Sequence, residues 1–142
     1  MIIRYLTVRG IIEIHDELIA RFGGSKGILN EGAISLITDL VTERFSVVGK
    51  ESMIKKASLL LYELMARHAF VDGNKRTAFV ACKVFLEANG YRLKYTIDEG
   101  EKLAIGIASG TKSKSYADRW IRRPAKESHV LQSAMRHSRA RP

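Results

Sequence analysis

The sequence predicts an all-α domain whose polar chemistry sits in a loop between two central core helices. Three observations carry this. Apolar residues recur at intervals of three and four through most of the first 121 residues, which is the spacing of one helical face. Only residues 91–95 alternate with the period of a strand. The densest polar segment, residues 68–77, lies between two markedly apolar runs, 52–66 and 77–89.

The elements follow in order. Thr7 is placed to cap a first helix in which Val8, Ile11, Ile12, His15, Leu18, Ile19 and Phe22 share a face, and Gly23 ends it. His15 lies on that apolar stripe and reads as a hydrogen-bonded core histidine. Gly23-Gly24-Ser25-Lys26-Gly27 is a loop, and Asn30 caps a second helix carrying Ile34, Ile37, Leu40 and Val41. A third helix begins near Ser52. Its Met53, Ile54, Ala57, Leu60, Leu61, Leu64 and Met65, widened by Leu59 and Tyr62, make it apolar over much of its circumference, so it belongs at the centre. After the polar loop, Ala78, Phe79, Ala81, Cys82, Phe85 and Leu86 continue helically to an Asn89-Gly90 stop. Residues 98–109 and 115–121 read as two more helices with Gly110 between them. Pro124 marks the end of the domain, so residues 1–121 are the folded unit and residues 122–142 a basic, flexible C-terminal tail.

Composition narrows the class. With 142 residues, 46% hydrophobic and 27% charged, the chain has the make-up of one soluble domain. No apolar run approaches the about 20 residues that span a bilayer, and the first residues lack a signal-peptide core, so a cytoplasmic protein with no membrane partner is expected. The single cysteine, Cys82, cannot form an internal disulfide. The net charge is +9, but residues 122–142 hold six Lys/Arg against one Glu and so contribute +5 of it. No aromatic residues interleave those cations, which argues against a stacking platform for single strands. Nucleic-acid binding is therefore expected to be only weak or indirect.

The polar loop carries the chemistry. In nine residues it gathers His68, Phe70, Asp72, Gly73, Asn74, Lys75 and Arg76. Gly73 tolerates positive φ, so successive N–H groups can turn toward one point at a helix start and hold a phosphate. Asn74 is suited to cap that helix and fix the loop. Lys75 and Arg76 add charge, Arg76 as a planar fork matched to phosphate oxygens. Asp72 is a hard oxygen ligand of the type Mg²⁺ prefers. An imidazole, with an ordinary pKa of about 6.5, can accept a proton near neutrality, which makes His68 the base candidate. Each piece has an ordinary structural explanation when taken singly: a helix-end histidine, a capping asparagine, an Asp-Gly turn. Their order and spacing set them apart.

That order resembles the signature of the Fic/Doc family, H-x-F-x-[DE]-G-N-[GK]-R, at all seven specified positions. Ala69 and Lys75, where Fic proteins usually have Pro and Gly, are similar to the death-on-curing (Doc) branch, as are Tyr5-Leu6-Thr7 and residues 14–24. The resemblance covers about residues 4–121. It implies a compact helical bundle with the signature loop between two central helices. It also implies a toxin that moves a phosphoryl group from ATP, with Mg²⁺, to a Ser or Thr hydroxyl of a translation factor, elongation factor Tu. In that reading His68 is the base, Asp72 holds Mg²⁺, and Gly73, Asn74, Lys75 and Arg76 hold phosphates, with Asp72, Lys75 and Arg76 counted with His68 in the catalytic set. Phe70 packs the loop onto the core, and a flap falls at about residues 43–50.

Two rival functions stay open at this stage. Adenylyl transfer would use the same residues, with Lys75 the one sequence clue against it. A nucleic-acid regulator using the basic tail would leave the signature vestigial. Many Fic relatives carry an inhibitory [ST]-x-x-x-E-[GN] motif. Glu31-Gly32 follows Gly27 rather than Ser or Thr, and Thr96 stands one residue too close to Glu99-Gly100. An antitoxin acting in trans is therefore expected.

Overall fold

Six helices and a two-stranded ribbon make up the described residues of the computed structural model, 2–45, 49–122 and 125–127. Helix α1, Val8–Phe22, starts where Thr7 Oγ1 accepts from Gly10 N at 2.9 Å and stops at Gly23. Helix α2, Glu31–Glu43, is capped by Asn30 Oδ1, which accepts from Ala33 N at 3.0 Å. Helices α3, Lys50–Ala66, and α4, Asn74–Ala88, follow. After strand β1, Tyr91–Leu93, come helices α5, Ile97–Ala108, and α6, Lys114–Arg122. A reciprocal pair of bonds between Thr96 and Glu99 starts α5. Among the described residues no helix is long and apolar enough to cross a membrane.

Helix α3 is the centre. Nearly every side chain from Ser52 to Met65 is buried, because α2, α4, α5 and α6 all pack on it. Such a helix must satisfy its polar residues internally. Lys56 is fully buried and donates to the carbonyls of Val41 and Arg44, both at 2.6 Å, so it caps the exposed carbonyl end of α2. Burial pushes the Glu63 carboxyl up, but Lys114 and Arg67, each 2.5 Å away, outweigh it and hold it below its ordinary range. That pair ties α3 to α6. Cys82 is buried against Ala57, where burial pushes its thiol far up, so it packs as a small apolar residue.

The fold continues past the boundary expected at Ile121. Arg122 is the last residue of α6 and forms a forked pair with Glu51, at 2.5 and 2.6 Å. Strand β2, Ala125–Glu127, then pairs antiparallel with β1, Leu93 opposite Ala125 and Tyr91 opposite Glu127. Ala-Lys-Glu has no strand pattern of its own, and tertiary pairing decides its conformation. Residues 128–142, the rest of the expected tail, lie outside the described residues.

Truncation after Arg123 is expected to remove this pairing and lower Tm by roughly 3–8 °C, the effect of losing about 1–2 kcal/mol in a domain of this size. Truncation after Glu127 should leave Tm within about 2 °C. Calorimetric melting of both chains checks it.

Candidate active site

The site begins where α3 ends. Arg67 N donates to Glu63 O to close the helix, and His68 then takes the left-handed conformation, φ 49°. For a non-glycine residue this costs on the order of 1 kcal/mol. The turn leaves His68 exposed, while Ala69 and Phe70 are buried again. Phe70 lies flat on the buried His15 ring, centroids 3.9 Å apart and planes within 6°.

Backbone and side chain together lock the loop. The Asn74 amide clasps Phe70 at both ends: Oδ1 accepts from its N–H at 3.0 Å and Nδ2 donates to its C=O at 2.9 Å. His15 Nε2 donates to the Asp72 carbonyl at 2.8 Å. The α1–α2 loop runs antiparallel alongside. Leu29 N and Asn30 N donate to Ala69 O, Val71 N donates to Gly27 O, and Ser25 N donates to Asp72 Oδ2 at 3.0 Å. Gly24 allows that approach, since a Cβ there would stand 2.7 Å from Asp72 Oδ2.

Gly73, at φ 76°, reverses the chain into α4. Its own N–H donates to Asp72 Oδ1 at 2.8 Å, and the first bond of the helix runs from Thr77 N to Gly73 O. The N–H groups of Asn74, Lys75 and Arg76 therefore have no intrahelical acceptor and sit at the positive end of the helix. Hydrogen bonds from Ser25 and Gly73 hold the Asp72 carboxyl below its ordinary range, with the Arg76 charge assisting. The Arg76 guanidinium lies over the Phe22 ring, 5.2 Å from its centroid.

These groups line one open cleft of about 560 Å³. His68, Asp72, Gly73, Asn74, Lys75 and Arg76 meet there with Phe22, Gly23 and Gly24 from the end of α1. Of the residues singled out by sequence, Phe70 alone stays beneath the cleft, in the core. The arrangement can hold an anion against free N–H groups and a guanidinium, with an imidazole at its edge.

Three expectations need correction. Asn74 does not cap α4, because Gly73 holds that position and both ends of the Asn74 amide are taken by Phe70. What Asn74 presents to an anion is its backbone N–H. Lys75 does not reach into the phosphate loop: its ammonium contacts both oxygens of Glu101 on α5, at 2.7 and 2.9 Å. The segment observed beside the signature loop is 23–30, whereas the flap was expected at about 43–50. Phe45 lies instead by Lys55 and Leu59, while residues 46–48 are outside the described residues.

Sequence reasoning missed Phe22, Ser25 and Glu101 as site residues, and it read His15 only as core. Glycines 23, 24 and 27 were the available signal, since a cluster of them marks close backbone approach as readily as an ordinary turn. Glu101 had none, as nothing local announces a partner 26 residues away.

The signature loop lies within the part of the chain that matches known proteins. A family profile described as "Fic/DOC family" matches residues 5–86. The chain is 29% identical over 120 residues to "Protein kinase doc" of Escherichia phage P1, covering 84% of this chain and 94% of that protein. It is 45% identical over 56 residues to "Toxin Doc" of Mycolicibacterium smegmatis, covering 38% of this chain and 43% of that protein.

Asn74→Ala should destabilise the fold by about 1–3 kcal/mol, because Phe70's buried N–H and C=O lose their partners, and urea unfolding measures it. The depressed Asp72 carboxyl predicts a pH effect of definite sign. Its tie to Ser25 is complete above the ordinary carboxylate range and is lost as pH falls through the lower folded-state value. The Asp72 side-chain carbon should titrate below the midpoint of a free aspartate when followed by NMR.

Proposed function

The chain belongs to the Fic/DOC family, and on that premise we propose that it is a Doc-like toxin transferring a phosphoryl group from ATP to a Ser or Thr hydroxyl of a protein. One observation carries the reading. His68, Asp72 and Arg76 line one cleft together with the residues that begin α4. Phosphoryl transfer asks mainly for positioning and charge neutralisation, and this set is suited to both.

The steps use this chain's own groups. The N–H groups of Asn74, Lys75 and Arg76 and the Arg76 guanidinium hold the phosphate oxygens. His68 takes the proton of the acceptor hydroxyl as its oxygen bonds to the γ-phosphorus, and the bond from that phosphorus to the bridging oxygen breaks to release ADP. Asp72 is the residue to hold Mg²⁺. Each of its oxygens accepts one N–H and keeps acceptor capacity. A lone carboxylate suits an ion bound otherwise by water and phosphates, and no cluster of three acidic, His or Cys ligands exists among the described residues. Such an ion would neutralise charge on the phosphate oxygens.

Support for phosphoryl rather than adenylyl transfer rests on the likeness to a protein named a kinase along 94% of its length. The Lys75–Glu101 pair favours keeping adenylyl transfer as the second reading, since the lysine is not free to exclude an extended triphosphate from the loop. The Doc likeness further supports elongation factor Tu as acceptor and an antitoxin as inhibitor in trans. Glu31 and Glu99 do not meet the inhibitory pattern, and Glu99 is engaged at the start of α5.

Incubation of elongation factor Tu with the protein, ATP and Mg²⁺ should add the mass of one phosphate to the acceptor. Addition of AMP would instead establish the second reading. His68→Ala should lower the rate by about 10²–10⁴-fold, the scale of a lost general base. A His68→Ala variant that retained full rate would remove His68 from the chemistry.

A further inference from the structure

His68 is shared by two hollows. One is the phosphate cleft, and the other lies between the end of α3 and the outer face of α5. This second hollow, about 160 Å³, has Met65, Ala104, Ile105 and Ala108 for walls, with His68 and Lys75 at its edge. Of its polar neighbours other than His68, the Asn74 amide is engaged by Phe70 and the Lys75 ammonium by Glu101. What remains for a guest besides the His68 edge is apolar, which suits an apolar side chain better than a charged one. Cavities of about 150 Å³ with apolar walls take guests the size of benzene, which is the size of one aliphatic side chain. Ile105, one of its walls, is 64% exposed, so the hollow can be reached from solvent.

We propose that this hollow is the acceptor subsite, taking one apolar side chain next to the hydroxyl residue that receives the transferred group. Its place decides the occupant: whatever fills it lies beside His68, the residue that takes the acceptor's proton in the reading above. The nucleotide enters from the α1 side and the acceptor from the α5 side, with His68 between them. The Lys75–Glu101 pair holds the lysine's charge neutralised where the two hollows meet. The inference rests on the transferase reading above.

The test uses Ala108→Phe, which fills the hollow from an exposed position, and Ile105→Asp, which makes its wall polar. Both positions are exposed, so folding should be spared, and unchanged melting verifies this. Transfer to elongation factor Tu is measured at varied acceptor and varied ATP, alongside calorimetric binding of the Mg²⁺ complex of ATP and growth arrest on expression. Each variant should raise KM for the acceptor at least about tenfold, the usual scale for spoiling one apolar contact in a pocket. The ATP KM and binding should stay within about twofold, and growth arrest should weaken. Unchanged acceptor KM with full growth arrest overturns the inference. A parallel loss of ATP binding also overturns it, by assigning the hollow to the nucleotide. If the wild-type chain neither modifies the factor nor arrests growth, the transferase reading itself fails and the inference falls with it.

Discussion

The Asn74 amide clasping both the N–H and the C=O of Phe70 is the interaction on which the site depends. Asn74 is only 7% exposed, so these bonds form away from competing water, where a buried group left unpaired costs about 1–3 kcal/mol. The clasp closes the loop into a small ring, drives Phe70 into the core and leaves Val71 to Gly73 no choice of path. His15 then serves twice, as the surface on which Phe70 stacks and as donor to the Asp72 carbonyl. Gly73 then turns the chain into α4, whose first residues line the cleft. A rigid scaffold below and a polar rim above are what phosphate chemistry requires, because reorganisation during the reaction would forfeit the gain from preformed dipoles.

Charge in the cleft is more finely divided than a count of cations suggests. Lys75 and Glu101 are both about half exposed, and a pair of that kind contributes little to stability. Its consequence is positional, since it draws one of the two motif cations toward α5. Arg76 is left, steadied over Phe22, together with the amino end of α4. The Asp72 carboxylate would repel an anion in isolation, yet two N–H donors anchor it and keep it ionised, the state in which it would hold a Mg²⁺ ion.

Much of this was legible in the sequence. Capping residues and helical periodicity placed all six helices, because Thr7, Asn30 and Gly23 act on neighbours within four residues. The seven signature positions also met at one cleft or directly beneath it. What stayed hidden came from distant pairing. Ser25 reaches Asp72 across 47 residues and Glu101 reaches Lys75 across 26, and local pattern holds no record of either. Strand β2 was hidden for a similar reason, being three residues whose conformation comes from β1 alone. Asn74 was misread for a subtler cause: its type favours a cap, but Gly73 had already taken the left-handed turn that starts the helix, freeing the amide to reach backward.

The central claim is that the amino end of α4 is a preformed phosphate cradle. Titration of ¹⁵N-labelled protein with inorganic tripolyphosphate and Mg²⁺ tests it without a base, a sugar or an acceptor. The account predicts saturable shifts concentrated in the amides of Asn74, Lys75 and Arg76, with Ser25 responding through Asp72 and the rest of α3 and α4 unmoved. Shifts confined to surface lysines elsewhere, or spread through the core as a general rearrangement, would contradict it.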